Sequence, residues 1–191
     1  MEPIFFKRNR VARVYTGGKL FGDFFGDEPV DGFLPEEWIA SNVRAMNKES
    51  KDLFEGLSKI KNTGEYFSTL LKKQEKALLG NQDYRVLIKV LDSAIRLPAQ
   101  AHPDKAFSKK YFNSNYGKTE CWYILNTRPG AKLYFGFKNG VTKADFEAAV
   151  TASESDPTAM ERVMNWVRPK KGQVILCRPK PFTLLVRAAL F

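Results

Sequence analysis

Residues 117–125 read GKTECWYIL, and this stretch decides the fold class of the chain. Its aromatic and β-branched residues are typical of a β-strand, in which successive side chains point to opposite faces. Lys118, Glu120 and Trp122 therefore share one face, and the residues between them point the other way. The stretch predicts a strand that carries a carboxylate beside a cation.

Stretches of the same kind recur on both sides of residues 117–125. They read YRVLIKVLD at 84–92, RLPAQAHP at 96–103, AKLYFGFK at 131–138 and KKGQVIL at 170–176. Several short strands at this spacing, separated by turn-forming residues, predict a β-sandwich or barrel. Helical periodicity occurs near 50–80 and 142–167, where Thr142 caps a first helix and Pro157 begins a second that runs to Val167. The prediction is a mainly β fold with helical insertions.

The 191-residue chain has a formal charge of +10, and much of the excess lies near its end. From Arg168 onward there are six basic residues and no acidic one, whereas the earlier lysines are interleaved with acids. The two cysteines are far apart and lack metal-site spacing, which indicates a reducing compartment. No apolar run reaches membrane-spanning length, and no signal peptide is recognisable. We expect a cytoplasmic protein that binds neither membranes nor nucleic acid.

Gln100 and the single histidine, His102, lie two residues apart in the predicted strand at 96–103. Their side chains therefore project from the same face, and Pro103 places them near the end of the strand. An imidazole nitrogen, an amide oxygen and the carboxylate of Glu120 together suit a divalent ion such as zinc. On this pattern alone, a hydrogen-bonded structural histidine is the alternative.

Six motifs follow one another in order between Asn9 and Leu176. They are NRVARVYTGGKL at 9–20, PEEWIAS at 35–41, QAHPD at 100–104, GKTECWYIL at 117–125, YFGFKNGVT at 134–142 and KKGQVIL at 170–176. Together they resemble the type I mannose-6-phosphate isomerases, in particular the short bacterial members. The resemblance implies a cupin-type antiparallel jelly-roll barrel with helical insertions, which holds one zinc ion (Zn²⁺) per chain.

The resemblance also implies a reaction and the residues that carry it. The reaction interconverts mannose 6-phosphate and fructose 6-phosphate by a zinc-assisted cis-enediol mechanism, so the partner is a small sugar phosphate. Gln100, His102 and Glu120 match zinc ligands of the family. Lys118 matches a lysine beside the ligands, and we expect a catalytic role for it, as an acid or in orienting the substrate. Its alternative is pairing with the phosphate or with Glu120. Glu36 matches a glutamate of the substrate pocket.

The chain departs from the family pattern at three places. Ala12 stands where relatives usually carry tryptophan, and Pro98 stands where a hydroxyl residue is common. After Leu176 the family motif HAIG, whose histidine is the fourth zinc ligand, is absent, and residues 177–191 form a basic and apolar tail. We therefore expect residues 1–176 to be the N-terminal part of a cupin isomerase domain, incomplete at the C-terminus and impaired in activity.

The tail has a testable origin in the DNA. Permitted codons for residues 177–191, read two bases later, encode PAKTFHAIGAGCF. The fixed first two bases of four successive codons permit His, Ala, Ile and Gly in that order, and these are the codons of Thr183, Leu184, Leu185 and Val186. We therefore hypothesise a frameshift after Leu176, either real or a sequencing error.

Two alternatives of other classes remain open. The first is a non-catalytic cupin fragment that binds a sugar phosphate. The second is a basic nucleic-acid binder, which the net charge alone would suit. The stretch YTGGK at 15–19 resembles a phosphate-binding loop only loosely, because the first glycine of that motif is missing.

Overall fold

Two groups of elements make up the chain, one within Met1–Asp92 and the other within Ser93–Phe191. The computed structural model describes residues 2–47 and 50–178, together with the backbone of the strand 182–190. In the first unit the elements are strand β1 (Arg10–Val11), helix α1 (Phe21–Phe25), strand β2 (Glu36–Ile39), helix α2 (Phe67–Leu79) and strand β3 (Ile88–Leu91).

The first unit is built on an antiparallel sheet in the order β1-β2-β3. Its buried side chains include Val11, Phe21, Trp38, Phe67, Leu71 and Leu91. The glycine-rich loop before α1 is tied to the end of β3, because the carboxylate of Asp92 accepts the N–H groups of Gly18 and Leu20, both at 2.9 Å. Gly18 has a φ of 112°, which a residue with a side chain rarely adopts.

The second unit carries more of the sheet structure. Its elements are β4 (Ala99–Ala101), α3 (Lys105–Phe112), β5 (Glu120–Tyr123), β6 (Asn126–Phe137), α4 (Lys143–Ala152), α5 (Ala159–Val163), β7 (Met164–Val167), β8 (Val174–Cys177) and β9 (Phe182–Leu190). Four strands form a sheet in the order β4-β9-β6-β7, and β5 pairs with β8 in a second sheet. Ile124, Leu133 and Met164 are completely buried, and each such side chain contributes about 1.5–3 kcal/mol to folding.

The prediction of a mainly β fold with helical insertions is confirmed. The cap at Thr142 is present as a full capping box, in which Thr142 and Asp145 bond to each other's backbone N–H groups. Among the described residues, none of the helices combines the length and the apolar character needed to cross a bilayer.

The helices are shorter than the sequence pattern predicts. In the region 50–80 only α2 is helical, because Gly56 and Gly64 adopt positive φ values and turn the chain before it. The helix expected from Pro157 to Val167 ends at Val163. Met164 then takes an extended conformation, because it pairs with β6 and is completely buried there.

Candidate metal centre

Gln100 and His102 are positioned by the end of strand β4. Gln100 lies within the strand and is exposed, whereas His102 follows it directly and is buried. The chain then turns into helix α3, whose first turn is capped by Asp104, since its carboxylate accepts the N–H of Phe107 at 2.8 Å. This helix was not predicted, although Asp104 is a typical N-cap residue.

A close backbone contact brings the next segment beside His102. The N–H of Lys118 donates to the carbonyl oxygen of Pro103 at 2.9 Å. A Cβ atom on Gly117 would lie 2.9 Å from that same oxygen, so only glycine lets the two segments approach this closely. Strand β5 pairs with β8 and not with β4, so Glu120 and His102 do not belong to the same sheet. The two segments meet through the Gly117 contact instead.

Contacts through Lys118 and Glu120 link the four residues predicted at the site. The Oε2 atom of Glu120 lies 3.5 Å from His102 Nε2, and its Oε1 atom lies 2.9 Å from Lys118 Nζ. The Lys118 ammonium also donates to Gln100 Oε1 at 3.3 Å. The imidazole and the carboxylate therefore lie side by side, and the Lys118 ammonium stands between the carboxylate and the amide oxygen of Gln100.

The spacing of His102 and Glu120 fits two ligands of one zinc ion. Two ligands of a tetrahedral zinc, each bound at about 2.0–2.2 Å, lie about 3.3–3.6 Å apart, and the His102 Nε2 to Glu120 Oε2 distance is 3.5 Å. The second imidazole nitrogen, Nδ1, is buried without a hydrogen-bond partner among the described atoms. In the described part of the chain, no cluster of three or more His, Cys, Asp and Glu side chains suits a metal ion. Of the residues predicted at the site, Gln100 is the remaining candidate for a third ligand, and its amide oxygen lies beside Lys118 Nζ.

The electrostatics of the site keep His102 in the form that binds metals. Burial lowers the pKa of His102, and the charge of Lys118 lowers it further, against the opposing effect of Glu120. A neutral imidazole is the form that donates a lone pair to zinc. Cys177, which pairs in register with Glu120, is buried, and burial together with the Glu120 charge raises the pKa of its thiol to about 12. The thiol is therefore protonated at neutral pH and is a poor ligand.

A cavity of about 570 Å³ adjoins His102. Its walls come from residues 101–104 and from helix α3, and they include Phe107, Lys110, Tyr111 and Phe112. The walls are mostly aromatic and aliphatic, and they carry one positive charge from Lys110 and one negative charge from Asp104.

Glu36, predicted in the substrate pocket, lies in the first unit. Its carboxylate is buried and is contacted by four donors. Tyr15 Oη (2.5 Å), Trp38 Nε1 (2.7 Å), Arg13 (2.9 Å) and Lys89 (3.1 Å) all approach its two oxygens. Burial raises the pKa of Glu36, but the charges of Lys89 and Arg13 and the hydrogen bonds from Tyr15 and Trp38 outweigh it and hold the pKa at about 2. The side chain is therefore ionised.

The depressed pKa of Glu36 predicts a specific acid sensitivity. The ordinary pKa of a glutamate is 4.5, so the stabilisation is fully present above that value and is lost as the pH falls towards 2. A shift of this size corresponds to about 3 kcal/mol in the free energy of unfolding. Urea unfolding from pH 6 to pH 2 should show this loss in the wild type and not in Glu36→Gln.

The neighbouring Glu37 offers a matched control for that experiment. Burial raises the pKa of Glu37, so its contribution to stability has the opposite dependence on pH. The variant Glu37→Gln should therefore keep the acid-dependent loss of stability. Equal slopes for the wild type and Glu36→Gln between pH 6 and pH 2 would contradict the prediction.

Fold and donor set together define the class: a mainly β protein with a candidate zinc centre built from Gln100, His102 and Glu120. Comparison with curated sequences specifies it further. The chain is 34% identical over 159 residues to the probable mannose-6-phosphate isomerase GmuF of Bacillus subtilis, which covers 81% of this chain and 45% of that protein. It is 27% identical to the mannose-6-phosphate isomerase of Streptococcus mutans, over 81% of this chain and 46% of that protein.

Solved structures of isomerases have the same fold. The mannose 6-phosphate isomerase of Bacillus subtilis matches with a TM-score of 0.69 and 24% identity, over 100% of this chain and 57% of that one. A putative mannosephosphate isomerase from Archaeoglobus fulgidus matches with a TM-score of 0.72 and 18% identity, over 98% of this chain and 60% of that one. No family model matches the sequence.

The resemblance to the mannose-6-phosphate isomerases is thus confirmed, and the chain is homologous to them over 81% of its residues. The chain spans about half the length of the curated relatives it matches.

Proposed function

We propose that this chain carries the metal-binding part of a mannose-6-phosphate isomerase, the enzyme that interconverts mannose 6-phosphate and fructose 6-phosphate. The observation that carries the proposal is the convergence of Gln100, His102, Glu120 and Lys118 from two separate segments. The names of the homologous proteins support the same reaction. A sugar phosphate is the proposed small-molecule partner, and the cytoplasm, where free cysteines persist, is the proposed location.

The three donors would hold one zinc ion, with the His102 imidazole neutral and the Glu120 carboxylate ionised. When bound, zinc supplies a Lewis acid that polarises the sugar carbonyl. Aldose and ketose interconvert when a proton moves between C1 and C2 through a cis-enediol, and this needs a proton donor or acceptor close to the reacting carbons.

Lys118 is the proposed proton-transfer or orienting group. Its ammonium lies between Glu120 Oε1 and Gln100 Oε1, so it is held beside two of the donors while its side chain stays partly exposed to solvent. From this position it can donate a hydrogen bond or a proton to a sugar oxygen, and its charge favours the phosphorylated substrate. The ion pair with Glu120 helps to fix the position of the Lys118 ammonium.

Glu36 has a supporting role within its own unit. Its carboxylate is engaged by four donors of its own unit, so we propose that it fixes Arg13, Tyr15 and Trp38 in place rather than contacting the sugar.

The frameshift after Leu176 is the second part of the proposal. Thr183, whose codon permits the histidine of HAIG in the shifted frame, pairs in register with Gln100 in the β4·β9 ladder. Directly opposed residues of an antiparallel pair are the closest cross-strand neighbours, so a histidine at this position would stand next to a proposed ligand. This register supports an origin of residues 177–191 in a shifted frame. Resequencing of codons 170–191 tests it, and an unshifted frame that continues without HAIG would refute it.

The proposed function is tested with the purified chain supplied with zinc. Fructose 6-phosphate formed from mannose 6-phosphate is followed in a coupled assay, with and without a chelator. In Lys118→Met the rate should fall by about 10²–10⁴-fold, as for loss of a general acid or base, while zinc still binds. Lys110→Met, which removes a cation from the neighbouring cavity wall, is the control. Zinc and sugar-phosphate binding without turnover would instead support the non-catalytic fragment.

A further inference from the structure

Trp122 is placed to fix the orientation of the Glu120 carboxylate. Its indole Nε1 donates to Glu120 Oε2 at 3.1 Å, and this is the same oxygen that lies 3.5 Å from His102 Nε2. The other oxygen, Oε1, is paired with the ammonium of Lys118 at 2.9 Å. Each carboxylate oxygen therefore has a donor of its own, and rotation of the carboxylate would break both contacts.

The indole is itself held in place by two sheets. Glu120 and Trp122 are two residues apart in β5, so they share a face of the strand. Trp122 pairs in register with Ile175 of β8. Its ring packs against Phe135 of β6, with the ring centroids 5.5 Å apart. An indole fixed in this way is a rigid hydrogen-bond donor.

The same Glu-x-Trp arrangement occurs in the first unit. Trp38 Nε1 donates to Glu36 Oε2 at 2.7 Å, and Lys89 donates to Glu36 Oε1 at 3.1 Å. In both units, tryptophan therefore binds Oε2 and lysine binds Oε1. The two carboxylates differ in the second group at Oε2, which is the guanidinium of Arg13 for Glu36 and the imidazole of His102 for Glu120. Glu36 also accepts from Tyr15 Oη.

We propose that Trp122 is a positioning residue that aims Glu120 Oε2 at the metal shared with His102. The inference rests on the proposed function, because it requires the site to bind zinc. Partners that orient a ligand typically change metal affinity 10–100-fold when they are removed, and we expect a loss in this range for Trp122→Phe. Phenylalanine keeps a ring against Phe135 but lacks the N–H donor.

The experiment measures the zinc dissociation constant of the chain by competition with a chromogenic chelator. The visible absorption of the Co²⁺-loaded chain is recorded beside it, because its bands report the ligands and their geometry. Trp166→Phe is the matched control, since Trp166 is a half-exposed tryptophan of β7 that contacts Lys132. We expect weaker zinc binding and a shifted cobalt spectrum for Trp122→Phe, and neither change for Trp166→Phe.

A second variant separates the hydrogen bond from the packing of the ring. Replacing Trp122 by 3-benzothienylalanine keeps the bicyclic shape without the N–H, and it should weaken zinc binding as Trp122→Phe does, even if the phenylalanine variant fails to fold. If the zinc affinity and the cobalt spectrum of this variant are unchanged, the inference about Trp122 is wrong, but the proposed function is not affected. Failure of the wild-type chain to bind zinc at all overturns the proposed function, and the inference with it.

Discussion

Replacing Thr183 by histidine is expected to strengthen zinc binding by about 100-fold. A structural zinc site of four ligands has an apparent binding free energy of about 10–16 kcal/mol, so one ligand accounts for roughly 3 kcal/mol. This corresponds to a factor of about 100 in the dissociation constant. The measurement is zinc titration of the wild type and Thr183→His against the same competing chelator.

The position follows from the strand register. Thr183 of β9 is directly opposite Gln100 of β4, so a histidine there shares the face of a proposed ligand. Leu184→His is the matched control, because it moves the imidazole one residue along the same strand and therefore to the opposite face. We expect the control to bind zinc like the wild type.

The Thr183→His variant also tests whether residues 177–191 arose from a shifted reading frame. If the strand after Leu176 has lost its histidine through a shifted frame, then a single imidazole at position 183 restores both tight binding and turnover of mannose 6-phosphate. If Thr183→His and Leu184→His bind zinc with the same affinity as the wild type, then position 183 does not belong to the metal site. The frameshift hypothesis would then rest on the DNA alone.

One pair at the candidate site could be predicted from the sequence because its spacing is local. Glu120 and Trp122 are two residues apart in β5, so strand alternation places them on one face whatever the topology. The same rule does not hold for Gln100 and His102, because β4 ends at Ala101 and Gln100 is exposed whereas His102 is buried. The partner of each strand could not be predicted in this way. Strands β4 and β5 belong to different sheets, and the contact between their segments depends on Gly117, which lacks the Cβ that would collide with Pro103.

The helix lengths show the limit of periodicity as a signal. Leu53 and Leu57 follow helical spacing, but Leu53 is exposed and Leu57 follows Gly56, whose φ of 88° is incompatible with a helix. A Cβ at Gly56 would lie 2.7 Å from the backbone of Ala45, so tertiary packing selects glycine and a turn there. Local apolar spacing carries no information about such distant contacts.

The sequence carries a local signal for the interactions of the two tryptophans. Glu36 and Trp38 repeat the spacing of Glu120 and Trp122, and both strands place the indole N–H on the carboxylate. From sequence, the shared face was noted without a role for Trp122. Because the Glu-x-Trp spacing occurs twice with the same hydrogen bond, it indicates a function for the indole. A fixed indole N–H favours one orientation of the neighbouring carboxylate.

Removal of the His102 imidazole is expected to lower zinc affinity by at least about 100-fold. The reason is again that one ligand accounts for roughly 3 kcal/mol of the binding free energy. His102 is the only histidine in the chain, so no second imidazole can replace it. The distance from His102 Nε2 to Glu120 Oε2 is 3.5 Å, as expected for two ligands of the same zinc ion. Removing the imidazole therefore removes one of the two donors that lie closest together. Zinc titration of His102→Ala against the competing chelator measures the effect.

The single histidine gives this prediction a direct spectroscopic test. In the ¹⁵N-labelled wild type there is one pair of imidazole nitrogen signals, and zinc should shift the signal of Nε2 more than that of Nδ1. Glu120→Gln should need a higher zinc concentration for the same shift, whereas Glu147→Gln, on the exposed helix α4, should not. Zinc affinity in His102→Ala equal to that of the wild type would contradict the prediction and would place the ion away from His102.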